Sequence, residues 1–455
     1  TGINNTFIGG LAGDNTTTAS SNTAVGYAAL GTNTTGTRNA ALGYQSGVAT
    51  TTATDNTYLG YAVGEALTTG GSNTLVGSKA GQSLTTGNSN VAIGVEALDA
   101  DTLGDRNVAI GNSALGSQNF TSSTDAYNVA VGYTAGASVT TGVQNTLVGS
   151  EAGDAFTDAD YNTALGFRAL TTDTKGSRAT ALGYRALNTQ NFTTATDNYN
   201  VAVGFQSGYS VTTGANNTLI GSLSGDAITT GGKHTAVGYA ALSSITTGTD
   251  SCAFGYLALA SSTGSQNNAF GRSTLEALTT GIHNVGIGYA SMSAATTASY
   301  NTAVGNFTLD AITTADGNTG VGYAVLTTNT SGNANVGMGY AALFSNSTGV
   351  NNTAIGYGSL DANTTASNNT SMGLNTLGAN TTGAQNVAIG SQALLQNATA
   401  SNNVAVGFSA GFSITTGTQS TFIGSLAGDA LTTGNYNTAL GYSALSADTL
   451  GSRST

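Results

Sequence analysis

The chain of 455 residues contains no proline, no tryptophan, one cysteine and two histidines. Each absence excludes something. A lone Cys252 cannot build an internal disulfide framework. Charged residues make up 7%, where a quarter is usual for a globular chain. Ten Lys and Arg against 22 Asp and Glu give a net charge of −12, thinly spread, and nucleic acid selects basic stripes instead. No apolar run approaches the length of about 18 residues that a membrane-spanning helix needs. His234, His283 and Cys252 have no carboxylate or other partner at a catalytic spacing, so an enzyme is not expected. No secretory leader is visible, and Thr1-Gly2 opens in mid-pattern.

What remains is 65 Gly with abundant Thr, Asn, Ala and Ser, and hydrophobic residues at 39%, many of them Ala. Such a composition invites disorder. Regular placement of Val, Ile and Leu defeats that reading. The pentapeptide Asn22-Thr23-Ala24-Val25-Gly26 returns every 17 residues; counted from Asn5 there are 26 coils, of which 23 have 17 residues, two have 21 and one has 16. Seventeen residues suit one coil of a parallel β-solenoid, built from two short strands and two turns. The fold class is therefore all-β, a β-roll of about 26 coils. At about 4.8 Å per coil it would form a rod on the order of 125 Å long.

Numbered from its Asn, each coil assigns roles by position. Position 1 is Asn in 22 of 26 coils, the exceptions being Ala179, His234, Ser251 and Ser420. Stacked asparagines such as Asn22, Asn128 and Asn403 can form an axial amide ladder. Position 4 is always Val, Ile, Leu, Met or Phe, so Val25, Val131 and Val406 are expected to face the core. Position 5 is always Gly, including Gly26, Gly132 and Gly407, which demands a positive φ or a backbone passing too close for a Cβ. Position 3 is mostly Ala or Gly and reads, with position 5, as a smooth face. Position 9 is only Gly, Leu or Met. Gly there usually goes with an apolar residue at position 12 (Gly153 with Phe156), and Leu often with a polar one (Leu98 with Asp101), as though both filled one core volume. Leu242 with Ile245, Leu275 with Leu278 and Leu309 with Ile312 break that rule.

Residues 1–455 read as one continuous shaft, a window on a longer repetitive fibre. A four-coil super-repeat covers 1–233, Leu-type coils cover 234–402, and the super-repeat returns over 403–455.

Asn-Thr-Ala-Val-Gly-Tyr followed by Ala-Leu or Ala-Gly resembles the head repeats of trimeric autotransporter adhesins, and equally the shaft repeats of tail-fibre-like proteins. The resemblance covers all 26 coils. It implies a left-handed β-roll, three copies packed around one axis, and an extracellular location on a cell or virion surface. The adhesin repeat is shorter, and this chain shows neither heptads nor a barrel anchor.

The expected function is that of a rigid structural spacer in adhesion, with a bacteriophage tail-fibre shaft as the alternative. A second alternative is a module that binds host-surface or environmental glycans through the position-6 tyrosines, Tyr27, Tyr44, Tyr61 and Tyr133 among them. No cofactor is expected. Asp99, Asp101 and Asp105 faintly echo a calcium loop, but the carboxylate-dense set with its bidentate Glu is missing, and a solvated turn is the expected reading.

Overall fold

A computed structural model describes residues 2–455, in two compact units that divide between Lys233 and His234. Both are parallel β-solenoids, together of about 26 turns, with no helix among the described residues. Each coil contributes a three-residue strand at positions 2 to 4, such as Thr23–Val25, Val129–Val131 and Val404–Val406, and four coils around the two insertions add a two-residue strand, Gly104–Asp105 pairing with Thr124–Asp125 and Gly176–Ser177 with Thr196–Asp197. In most other coils the expected second strand is replaced by a bend at positions 13 and 14, as at Thr34 and Thr35. Its backbone still bonds from coil to coil, as in Thr34 N–H to the Thr51 carbonyl (2.9 Å). The Thr34 and Thr51 hydroxyls donate to the same row of carbonyls, at 3.0 and 3.1 Å.

Strands pair in parallel and in strict register, Thr23 with Ala40, Ala24 with Ala41, Val25 with Leu42. The asparagine ladder holds that register. Asn22 Oδ1 accepts the Asn39 backbone N–H at 2.9 Å, while Asn22 Nδ2 donates across its own coil to the Gly36 carbonyl at 2.9 Å. Asn128 and Asn403 repeat the arrangement, donating to the Gly142 and Gly417 carbonyls at 2.7 and 2.8 Å. All three are fully buried. Where the ladder residue is missing at Ala179, Asn198 replaces it, accepting the Asn200 N–H at 3.0 Å. His234 substitutes with its ring: Nε2 pairs with the Gly248 carbonyl at 2.7 Å and Nδ1 with the Ser251 N–H at 3.3 Å.

The position-5 glycines satisfy both reasons for having no side chain. Their φ angles run from 122° to 143°, and within each unit a Cβ on such a glycine, as at Gly26, Gly132 or Gly407, would fall on the position-5 backbone of the following coil.

The expected inward direction of position 4 is wrong. Val25, Val131 and Val406 are only half-buried and lie on the outer strand face, whereas Ala24, Ala130 and Ala405 at position 3 are fully buried. Side chains alternate across a strand, so the interior takes position 3, and positions 2 and 4 turn outward. The coil is too thin for a uniform row of large residues, which is why position 3 is usually Ala.

Where position 3 is large, the neighbouring position 9 is Gly. Leu147 lies between Gly136 and Gly153, whose added Cβ atoms would come within 2.7 and 2.8 Å of its methyl groups. Tyr58 is flanked by Gly47 and Gly64, and Phe422 by Gly411 and Gly428, in the same way. Three positions, 3, 9 and 12, thus share the core volume. This accounts for the exceptions at Leu242, Leu275 and Leu309, because position 3 in their own and following coils is only Ala or Gly. Leu at position 9 adopts φ near +50°, 49° at Leu30 and 53° at Leu98. That left-handed conformation costs about 1–2 kcal/mol, which burial of the leucine, worth about 1.5–3 kcal/mol, offsets.

Two stability outcomes follow. Leu147→Ala leaves a cavity between two glycines that cannot fill it and should lower stability by about 2–5 kcal/mol in chemical denaturation. Gly132→Val puts a branched side chain at φ 143° against the Gly149 carbonyl. The expected loss is on the order of 3 kcal/mol or more, and a variant that melts like the parent would refute this reading of position 5.

Candidate functional site

With position 3 inward, the outer strand face carries two uncharged rows. Position 2 is Thr in 15 coils and Val in eight; position 4 is aliphatic or aromatic in all 26, and neither holds a charge anywhere. In the first unit Ile8, Leu42, Leu59 and Leu165 are 42–58% exposed, and in the second Ile287, Met338, Met372 and Ile423 are 40–44% exposed. Ala40 interrupts the β-branched row and leaves an apolar dent between Val25, Leu42 and Leu59. An uncovered apolar surface repeated in every coil is the mark of an interaction face.

A third row runs beside these at position 6. Tyr27, Tyr44 and Tyr61 stack with ring centroids 5.4 and 5.6 Å apart and planes within 15°. Phe167, Tyr184 and Phe205 stack likewise at 5.5 and 5.3 Å, as do Tyr323, Tyr340 and Tyr357 at 5.4 and 4.9 Å. Sugar recognition by aromatics uses an open ring face. Within these stacks both faces of the middle ring are taken by its neighbours. The end rings, such as Tyr27 and Tyr61, each have an aromatic neighbour on one face only.

The three aspartates of the calcium echo are separated by their hydrogen bonds. Asp101 is fully buried, which corrects its reading as part of a solvated turn. Its Oδ1 accepts the Gly104 and Phe120 N–H groups at 3.1 and 3.3 Å, and Oδ2 accepts Gln118 Nε2 at 2.7 Å. Asp105 takes the Asn88 N–H at 2.6 Å and the Ser123 hydroxyl at 2.8 Å. Asp173 repeats the Asp101 arrangement with Gly176, Phe192 and Gln190. Asp101 and Asp173 thus brace the two 21-residue coils, whose inserted Phe120 and Phe192 are buried. Asn33 at the same position caps its own turn, accepting the Gly36 N–H at 2.9 Å.

Burial holds His234 below the ordinary histidine range, consistent with a neutral ring in the ladder. His283 stacks on Tyr300 at 5.2 Å, and Cys252 is a half-buried position-2 residue. The structure does not bring these three together with a carboxylate. Sequence reasoning missed the outward face itself, and with it a second, interior amide ladder. There Asn346, Asn363 and Asn380 each donate to the position-12 asparagine before, at 3.4, 2.7 and 3.1 Å. The unbroken run of Asn at position 12 in five successive coils, from Asn329 to Asn397, was the available signal.

Compared with known proteins, the chain matches no family model and no curated sequence.

Burial pushes the carboxyls of Asp101, Asp154, Asp173, Asp226, Asp310 and Asp361 above the ordinary 3.8. A raised folded-state value means that the protonated form is favoured by folding. The associated stability is full below the unfolded value and is lost as pH rises through the folded one. In a His234→Asn variant, which restores the usual ladder residue and removes the buried histidine whose lowered value acts in the opposite sense, the melting temperature should therefore rise as pH falls from neutral toward 4. Melting that weakens steadily over that interval would contradict it.

Proposed function

We propose that the chain is the structural shaft of an extracellular fibre or surface appendage, a rigid spacer in adhesion, in which copies pack together through the outer strand face. The observation that carries this is the absence of charge at positions 2 and 4 in all 26 coils, on a face that the coil itself does not cover. One unit has 13 coils; at about 4.8 Å each the strip is on the order of 60 Å long, and positions 2 to 4 span about 7 Å. The product is roughly 400 Å² for each unit, and the strips of the two units together approach the roughly 800 Å² that a standard stable interface takes from each partner. Three copies around one axis, as in the adhesin heads that the repeat resembles, would bury this strip on each chain. A virion fibre would use the same shaft, and native particles imaged on cells or on virions would separate the two settings.

Sedimentation equilibrium of the full chain should give three times the chain mass. Ile389→Asp, on the outer face, should shift it toward monomer while the far-UV circular dichroism stays that of the parent. Ile389→Thr, which keeps a β-branched side chain, should weaken association less. A monomeric parent at micromolar concentration would overturn the proposal.

A further inference from the structure

The stacked tyrosines place pairs of phenols side by side at a fixed spacing on an accessible edge. Tyr27, Tyr44 and Tyr61 are 49%, 45% and 53% exposed and stack in sequence at 5.4 and 5.6 Å. Tyr323, Tyr340 and Tyr357 repeat the three-ring stack in the second unit, and Tyr239 with Tyr256 forms a pair at 5.3 Å. The strict parallel register holds each ring beside its counterpart 17 residues away.

We infer that these stacks are sites of oxidative coupling, in which dityrosine bonds weld successive coils of one chain. The oxidant is hydrogen peroxide with a haem peroxidase. Each of two neighbouring phenols loses one electron and its hydroxyl proton to give a phenoxyl radical. The two radicals join through ring carbons ortho to oxygen, and each of those carbons then loses its hydrogen as the ring regains aromaticity and the hydroxyl is restored. Overall the pair loses two hydrogens, and one peroxide becomes two waters. Coupling between radicals depends on encounter, and the stack supplies the encounter before oxidation begins. Half-exposed rings keep the freedom to turn from face-to-face into bonding distance.

The molecule contains its own controls. Tyr133 is 59% exposed, but its row neighbours are Asn112 and Ser150, so it has no adjacent phenol. Tyr58 is buried and bonded to the Thr50 hydroxyl at 3.2 Å.

The test is to treat the full chain with peroxide and peroxidase and map cross-links by mass spectrometry after denaturing electrophoresis. Links of two lost hydrogens should join Tyr27 to Tyr44, Tyr44 to Tyr61, Tyr323 to Tyr340 and Tyr340 to Tyr357 within monomer-sized chains. Tyr58 and Tyr133 should give no intrachain link. Tyr44→Phe keeps the stacked ring but removes its phenol, and should abolish both links of the first stack while leaving those at Tyr340. Absence of dityrosine, equal coupling at Tyr133, or links mainly between chains would each overturn the inference.

Discussion

The amide of the position-1 asparagine is the constraint on which the rest depends. It accepts the backbone N–H of the next ladder residue and donates across its own coil to the position-15 carbonyl, so one side chain fixes both the rise and the closure of a turn. A buried N–H left without this acceptor would cost about 1–3 kcal/mol, and the exceptions show that the protein keeps the bond even where it loses the residue. Asn198 reaches the vacated rung at Ala179, a histidine ring spans the gap at His234, and the Ser420 hydroxyl accepts the Asn437 N–H at 3.1 Å. Once every rung is fixed, each side chain meets its own counterpart above and below, and the sequence must be compatible with itself at a displacement of one coil.

Self-compatibility explains the interior. A row of large residues at position 3 would overfill a thin coil, and a row of alanines everywhere would leave it hollow. The protein alternates instead: Leu at position 9 where position 3 is small, and a pair of glycines around a single Leu, Tyr or Phe where position 3 is large. The paired glycine coils of the super-repeat are thus two halves of one packing solution. Position 8 shows the same exchange, because a Cβ on Gly286 or Gly320 would strike the Thr274 or Thr308 methyl group of the preceding coil.

The period, the parallel stacking and the ladder were legible because stacking makes rows uniform, and uniformity survives in a single sequence. The direction of the strand was not. A three-residue strand offers only one inward position, and Ala24 beside Val25 invites the larger residue inside. The discriminating signal is response. Position 3 changes from Ala to Leu, Tyr or Phe in step with glycine at position 9, whereas position 4 stays apolar whatever its neighbours do. The outer face was hidden by that same inversion, and the stacking of the tyrosines required knowing that position 6 lies at its border. The buried role of Asp101 could not be read from a run of aspartates, because its partners Gln118 and Phe120 lie in the following coil.

Stacking also explains why charge is so scarce. Two like unit charges about 4.8 Å apart repel by roughly 1–3 kcal/mol at the effective dielectric of a protein surface or of water, and a uniform charged row would repeat that cost at every rung. Amides and hydroxyls both donate and accept, so Asn and Thr rows can extend without limit. A charged group is tolerable where the next coil answers it with the opposite sign. The ion pairs obey this rule: Arg38 with Asp55, Arg168 with Glu151 and Lys175 with Asp158 each join neighbouring coils at the same position. Arg106 with Asp125 and Arg178 with Asp197 do so across the inserted coils. Exposed pairs of this kind contribute little stability. Their role is to make a charge admissible in a stacked row, and the outer strand face, where no coil offers an answering charge, carries none.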